Sequence, residues 1–490
     1  MDLKTRAVKG VMWAGISQIV TQVLQLTIKV ILARLLAPQV FGILGMAMIF
    51  IGFVETVNEM GLSAALVQRK EVTEKHCSTI FWVSLISGAA LTGLGLAAAP
   101  AIASFFRTEL LTGVIRALSA GFFIGSFAII HISMLTRKTR FDRIAAVEIS
   151  AAFAYGLISI SLAVAGMGIW SLVLGSLGST TMKAVLYWLS YPWRPAFLFD
   201  LRSFRELFSF GKNVMGSRML NFVDSNTDYL VVGRLLRAEA LGLYTMAYQV
   251  AIFPMAQISK VISRVTFPVF SILQDDNAKL RLGYSRVIRY SSLLTFPVLA
   301  GMILVSPELL PHLLGRRWVG AVLPLQILCI YGMLVSVGTH VGTILLGKGR
   351  SDIQFRWNVL TVIAYPLAVI MGVRFGVNGV AVATTIVGLL LFFIIQTITN
   401  RQIEMSYREF FAALAPAMVC CLCMSACVLV FKAIATSMII KQAYLLAGSM
   451  AVGVITYLAS IRIGFPGLLS EIFSMAMIMI QRKKRGSHDA

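Results

Sequence analysis

The stretch ILARLLAPQVFGILGMA at residues 31–47 returns as VVGRLLRAEALGLYTMA at 231–247. Arg34, Leu35, Leu36, Gly42, Met46 and Ala47 match Arg234, Leu235, Leu236, Gly242, Met246 and Ala247 at one constant offset. A second echo sets Leu135, Lys138, Arg140 and Asp142 against Leu345, Lys348, Arg350 and Asp352, in the same order. An apolar chain written twice over has the layout of a transporter. Parallel repeats of this kind are related by an axis along the membrane normal, which predicts a substrate path between the two bundles.

Lipid as the solvent follows from composition. Only 13% of the residues are charged and 58% are hydrophobic, with mean hydropathy +0.84, whereas a soluble chain carries roughly 25% charged residues. Apolar stretches of about 20 residues recur between short polar breaks, as bilayer-spanning helices require. The reading is an all-α membrane protein of about 14 transmembrane helices. Six form an N-lobe over 1–190, a cytoplasmic linker covers 191–211, and six more form a C-lobe over 212–400. Two additional helices follow over 401–465, then a basic amphipathic tail over 466–490. The linker contains YPWRPAF, whose prolines cannot continue a helix, and LRSFRELFSF, read as a short interfacial helix. The start, MDLKTRAVKG, is basic but leads into a full-length span without a small-residue cleavage site, so the first helix is expected to remain.

A net charge of +22 would suggest a nucleic-acid partner in a soluble chain; here the positive-inside bias accounts for it, and no nucleic acid is expected. The basic residues gather in alternate loops, among them Arg69, Lys70 and Lys75, then Arg137, Lys138, Arg140 and Arg143, then Arg194, Arg202 and Arg205. The opposite loops, such as Gly166–Gly168, are nearly bare. Both termini are therefore expected in the cytoplasm.

Polar groups inside a bilayer are costly unless they face a cavity or a partner. The first helix carries Gln18, Gln22, Gln25 and Lys29 at spacings that place them on one stripe. The corresponding helix of the second repeat carries Arg218, Asn221, Asp224 and Asp228, again on one face. Two symmetric stripes point to a wet lumen; hydrogen-bond glue between helices is the competing reading. The intramembrane cations Lys29, Arg116, Arg218 and Lys260 would draw an anionic head group into such a vestibule. Asp224, Asp228, Glu55 and Glu59 either balance those cations or couple transport to an ion. Lys183 and Arg264 are read as snorkelling to the surface, and His131 and His340 as hydrogen-bonded helix histidines.

Enzyme chemistry has no foothold. The chain lacks a GxxxxGK[ST] phosphate loop and an HExxH motif, and its loops are too short to house a catalytic domain. Of six cysteines, Cys420, Cys421, Cys423 and Cys427 share one apolar helix and read as packing residues, so no metal site and no cofactor are expected.

The segments LARLLAPQVFGILGMA, GLSAALVQRKEVTEKHCSTIFW, DYLVVGRLLRAEALGLYTMAYQVAIFP, FPVFSILQDD, LLGRRWVGAVLPLQIL and LLGKGRSD resemble bacterial polysaccharide flippases of the Wzx type, in the colanic-acid-exporter branch. That superfamily also holds the multidrug and toxin extrusion antiporters and the lipid II flippases. The resemblance implies a 12-helix core with two added helices. It also implies a bacterial inner-membrane flippase carrying an undecaprenyl-pyrophosphate-linked oligosaccharide for exopolysaccharide, lipopolysaccharide or capsule synthesis. Its partners would be the lipid-linked oligosaccharide and membrane lipids, with a polysaccharide polymerase and a chain-length regulator nearby, and a monomer is expected. A drug/cation antiporter and a lipid II flippase are the alternatives on the same fold. One departure is Arg237, where many relatives carry glycine; it falls in an expected outer loop, with little consequence for the lumen.

Overall fold

The computed structural model describes residues 3–58, 62–69, 71–437 and 442–467. Fifteen α-helices follow one another. They are α1 (Leu3–Leu35), α2 (Pro38–Asn58), α3 (Leu62–Gln68), α4 (Glu74–Phe106), α5 (Leu110–Ser126), α6 (Ile129–Arg137), α7 (Phe141–Val164) and α8 (Ile169–Ser190). The others are α9 (Leu201–Ile272), α10 (Asn277–Leu313), α11 (Val322–Gly347), α12 (Ser351–Gly372), α13 (Gly376–Gln402), α14 (Tyr407–Ser437) and α15 (Gln442–Gly464). No strand occurs among the described residues.

Among the described residues, ten helical stretches are long and apolar enough to cross a membrane, and the bent pair α5–α6 makes an eleventh if it is one span. One of the ten, Ser351–Gln402, contains both α12 and α13. The long α9 is not among them. A count of 14 therefore needs α12 and α13 taken separately and two spans drawn from α9. The expected interfacial helix does not stand apart, because α9 starts at Leu201 and its first break comes only at Arg237. Beyond Gly467 the tail lies outside the described residues.

By packing, the chain divides into two compact units, Met1–Thr245 and Met246–Ala490. In the first, α1 lies on α7, α4 on α5, and α7 on α8. Small residues permit these approaches: a Cβ on Gly95 would meet the Ser119 side chain, and one on Gly175 that of Ser159. The extended linker is strapped to the start of α4. Trp82 Nε1 donates to the Ala196 carbonyl (2.9 Å), the Ala196 amide to Ser78 Oγ (3.2 Å), and the Asp200 amide to Thr79 Oγ1 (3.0 Å).

In the second unit, Tyr284, Ile288, Val337, Ile344, Ile395 and Phe410 form a core shared by α10, α11, α13 and α14. The α14–α15 pair is bound to α10 by more than apolar contact. Tyr457 Oη donates to the Leu293 carbonyl (2.7 Å). Lys432 Nζ reaches the Leu304 carbonyl (2.5 Å) and Glu308 Oε2 (2.6 Å), with both side chains about one-sixth exposed (15% and 16%).

The second echo is a true structural repeat. Lys138 and Lys348 close α6 and α11 with φ/ψ of −81°/6° and −82°/4°. Thr139 and Gly349 follow at φ 52° and 72°, and Arg140 and Arg350 at −86°/56° and −87°/53°. Each arginine then grips the aspartate two residues on. Arg140 contacts Asp142 at 3.0 and 2.9 Å, and Arg350 contacts Asp352 at 2.9 and 3.0 Å.

Two stability predictions follow from this packing, read by thermal unfolding of the purified protein in detergent. Removing one partner of the Lys432–Glu308 pair leaves a buried charge alone and should cost about 3–5 kcal/mol; Lys432→Met combined with Glu308→Leu should recover most of that loss. Arg237 breaks α9 at φ 70°, ψ −176°, a region that glycine enters far more readily than any residue with a Cβ. Arg237→Gly should stabilise the protein by about 1–3 kcal/mol, and an unchanged or lower melting point would refute the strain.

Candidate functional site

The two copies of the opening motif each make a helix–corner–helix. In the first, α1 ends at Leu35 and Pro38 starts α2, a first-turn position that suits its fixed φ and missing N–H. In the second, Arg237 is the corner. The corners meet reciprocally within the first unit. A Cβ built on Gly42 would overlap the Ala238 carbonyl, and one built on Gly242 would overlap the Pro38 carbonyl. The matched glycines are thus needed for backbone-to-backbone approach. Met46, Leu241 and Tyr244, all buried, surround this seam. Arg234 donates to the Phe105 carbonyl and lies over the Phe105 ring at 5.0 Å, tying the corner to the end of α4.

Three faces divide α1. Ser17, Ile28 and Leu32 are buried, with Ile28 resting against α7 at Gly156. Ile19, Val20, Val23 and Leu26 are exposed apolar residues. The Gln18–Gln22–Gln25–Lys29 stripe lies between them, about 80° round the helix from the buried face. Gln18 and Gln25 are exposed and Gln22 and Lys29 half-buried. The stripe expected from the sequence is therefore continuous and outside the α7 contact.

On α9, Arg218 is exposed. Asp228 accepts from Tyr244 Oη (3.1 Å) and from the Tyr229 amide (2.8 Å), so this carboxylate is engaged across the corner. Arg116 is exposed on α5, away from the packed face of Leu111, Leu118 and Phe122. Lys29, Arg116 and Arg218 thus come from three separate helices. Glu55 is exposed on α2 and lies within electrostatic range of Lys183. Glu59, and the side chains of Asn221, Asp224 and Lys260, lie outside the described residues.

Sequence reasoning missed one polar cluster. Glu148 on α7 accepts from Lys183 Nζ (2.7 Å) and Tyr187 Oη (3.0 Å) on α8. The i, i+4 spacing of Lys183 and Tyr187 was the available signal, but Glu148 is too distant in sequence to join to them. The histidines are hydrogen-bonded as expected. His131 spans the Phe127 and Trp193 carbonyls (3.2 and 3.3 Å), and His340 Nε2 contacts Ser291 Oγ (3.0 Å). The cysteines are free thiols, and no group able to hold a metal occurs among the described residues.

Known proteins share both sequence and fold. The family described as "Polysaccharide biosynthesis protein" matches residues 31–323, more than half of the chain, and the chain belongs to that family. Teichuronic acid biosynthesis protein TuaB of Bacillus subtilis (strain 168) is 30% identical over 378 residues, covering 76% of this chain and 78% of that protein. Lipopolysaccharide biosynthesis protein WzxC of Escherichia coli (strain K12) is 29% identical over 427 residues, covering 84% and 85%. Among solved structures, lipid II flippase MurJ in an inward closed conformation superposes with TM-score 0.75 at 14% identity, over 94% of this chain and all of that one. An inward-facing multidrug resistance MATE family transporter gives 0.64 at 17%, covering 80% and 98%. At these identities the structures establish the fold alone: a multi-pass, all-α membrane fold.

The reciprocal glycine seam makes a direct prediction. Gly42→Ala and Gly242→Ala should each destabilise the protein by about 1–3 kcal/mol through overpacking. Gly93→Ala, which meets open space, should be neutral or slightly stabilising. Equal melting points for all three would remove the seam.

Proposed function

We propose that this protein is a flippase, moving an undecaprenyl-pyrophosphate-linked oligosaccharide across the bacterial inner membrane by alternating access. It is a transporter and not an enzyme. Its fourteen spans comprise two six-helix repeats, 1–190 and 212–400, joined by the linker, with two further helices over 401–465. Both termini are cytoplasmic, and the protein works as a monomer beside a polysaccharide polymerase and a chain-length regulator. Membership of the polysaccharide biosynthesis family supports the cargo, and the polar stripe of α1 beside exposed apolar residues supports the route.

In this reading Lys29, Arg116 and Arg218 attract the pyrophosphate, while Gln18, Gln22 and Gln25 offer hydrogen bonds to the glycan. Moderate affinity is required, because equal and tight binding in both access states would stall turnover. Glu55 and Asp228 balance charge or bind the coupling ion. The observation that carries the reading is the α1 stripe: four polar side chains share one face of a membrane helix, Gln18 and Gln25 exposed and Gln22 and Lys29 half-buried, and such a face is costly in a bilayer unless it borders a polar path.

The test is complementation of a deletion strain. Arg218→Gln should cut surface polysaccharide by about tenfold or more, the cost of losing a charge-assisted contact, at unchanged protein level in the membrane. Lipid-linked oligosaccharide should then accumulate on the cytoplasmic face of sealed spheroplasts, and Arg218→Lys should restore part of the export. Full export by Arg218→Gln would remove that residue from the path. Intact export in the deletion strain, with altered drug resistance, would replace the flippase reading by the antiporter.

A further inference from the structure

An apolar groove of about 430 Å³ opens within the first unit between α2, α4 and α9. Its volume lies in the range of small-molecule sites, about 300–1,000 Å³. Rings dominate its walls: Phe50 and Phe53 from α2, Phe105 and Phe106 from α4, and Phe222 from α9. Its two polar side chains are turned back on their own helix. Asn226 Nδ2 donates to the Phe222 carbonyl (2.8 Å) and Thr227 Oγ1 to the Val223 carbonyl (2.6 Å). Such a lining offers water few partners and suits hydrocarbon. Phe105, Val223 and Leu230 are exposed along it, so a chain in the bilayer has lateral entry.

Charge marks one end. Arg234 is held over Phe105 at 5.0 Å, and Arg107 caps α4 just beyond Phe106. The helix corners at this end carry Arg34, Arg107, Arg234 and Arg237 against Glu109 and Glu239. A ring-lined apolar trough ending in guanidinium groups is complementary to an amphiphile with a long chain and a phosphate head. Ala98 and Ala101 leave notches between the rings, about 4.5 Å apart along α4, close to the spacing of methyl branches in an isoprenoid.

We propose that this groove binds the isoprenoid chain of a polyprenyl phosphate or pyrophosphate carrier, with Arg234 and Arg107 facing its phosphate. The proposal rests on the flippase reading and adds a docking site to it. Around α9 the groove-lining residues Phe222, Asn226 and Leu230 are turned roughly 120–160° from Asp228, while Arg218 lies one turn from Phe222 on the same side and borders the groove. The groove runs from Phe53 and Phe222, well along α2 and α9, to Phe105 and Phe106 at the end of α4, so under the proposed topology its Arg234 end faces the outer leaflet. There it would hold the carrier after translocation.

The experiment uses the full-length protein in phosphatidylethanolamine/phosphatidylglycerol nanodiscs with a diazirine-bearing polyprenyl phosphate. After photolysis, mass spectrometry should find label concentrated on residues 49–53, 98–106 and 222–230. Unlabelled undecaprenyl phosphate should compete it away and added phosphatidylglycerol should not. Ala101→Trp, on an exposed notch, should reduce labelling by about tenfold, the scale of excluding a poorly fitting apolar group. Arg234→Gln should weaken phosphate-dependent competition, and Arg107→Gln gives the same readout without disturbing the Phe105 contact. Label spread evenly over the helices, or removed equally by phosphatidylglycerol, would overturn the proposal in favour of bulk lipid. Translocation lost with groove labelling intact would count against the flippase reading alone; labelling absent with export intact would count against the groove alone.

Discussion

The first unit is organised by a backbone-to-backbone contact between two corners of the same ancestral design. Gly42 lies against the Ala238 carbonyl and Gly242 against the Pro38 carbonyl, and neither approach leaves room for a Cβ. Because helix interiors present side chains at their surfaces, an approach this close needs glycine on both partners. The consequences extend outward. The seam draws residues up to Thr245 into the first unit, brings Phe222 against α2 at Gly52, and sets Arg234 on the end of α4. The α2–α4–α9 groove lies in this same unit, with Phe222 and Leu230 of α9 in its wall.

Polar chemistry in this protein follows two regimes. Some charges are matched in the apolar interior, as with Lys432 and Glu308, where desolvation makes a lone partner costly. Others are exposed on helix surfaces, as with Gln18, Gln25 and Arg116. The first kind secures α14 to α10 and belongs to architecture. The second kind stays exposed, and it is on this set that the proposed transport draws. Asp228 stands between the regimes, since Tyr244 and a backbone amide already occupy its oxygens. Any role in ion coupling therefore involves the α9 corner as well.

Arg237 shows how a sequence departure becomes intelligible only with dihedral angles in hand. Its divergence from glycine reads as harmless in a loop, yet its φ of 70° lies where a side chain is strained. Thr139 tells a related story. It holds φ 52° where the repeat has Gly349 at 72°, and the flanking angles agree within a few degrees. Backbone geometry is conserved between the copies even where the residue best suited to it is not.

Much of the architecture was legible in the linear chain. Helical periodicity and apolar length are local properties, so the all-α membrane class, the α1 stripe and the extended proline-rich linker follow from spacing alone. The repeat was legible too, because duplicated residues keep their order whatever the fold does with them. Long-range pairing was not. Glu148 with Lys183, Glu308 with Lys432, and Arg234 with Phe105 are separated by 35, 124 and 129 positions, and no local pattern selects one partner over another. Nor did the repeat announce that its two glycines lie at one seam, or that α9 lines an apolar groove with α2 and α4. Sequence determined which segments enter the membrane and which residues are polar there. Tertiary structure alone decided which of those polar groups are consumed by packing and which stay exposed, because that depends on what each side chain meets across space.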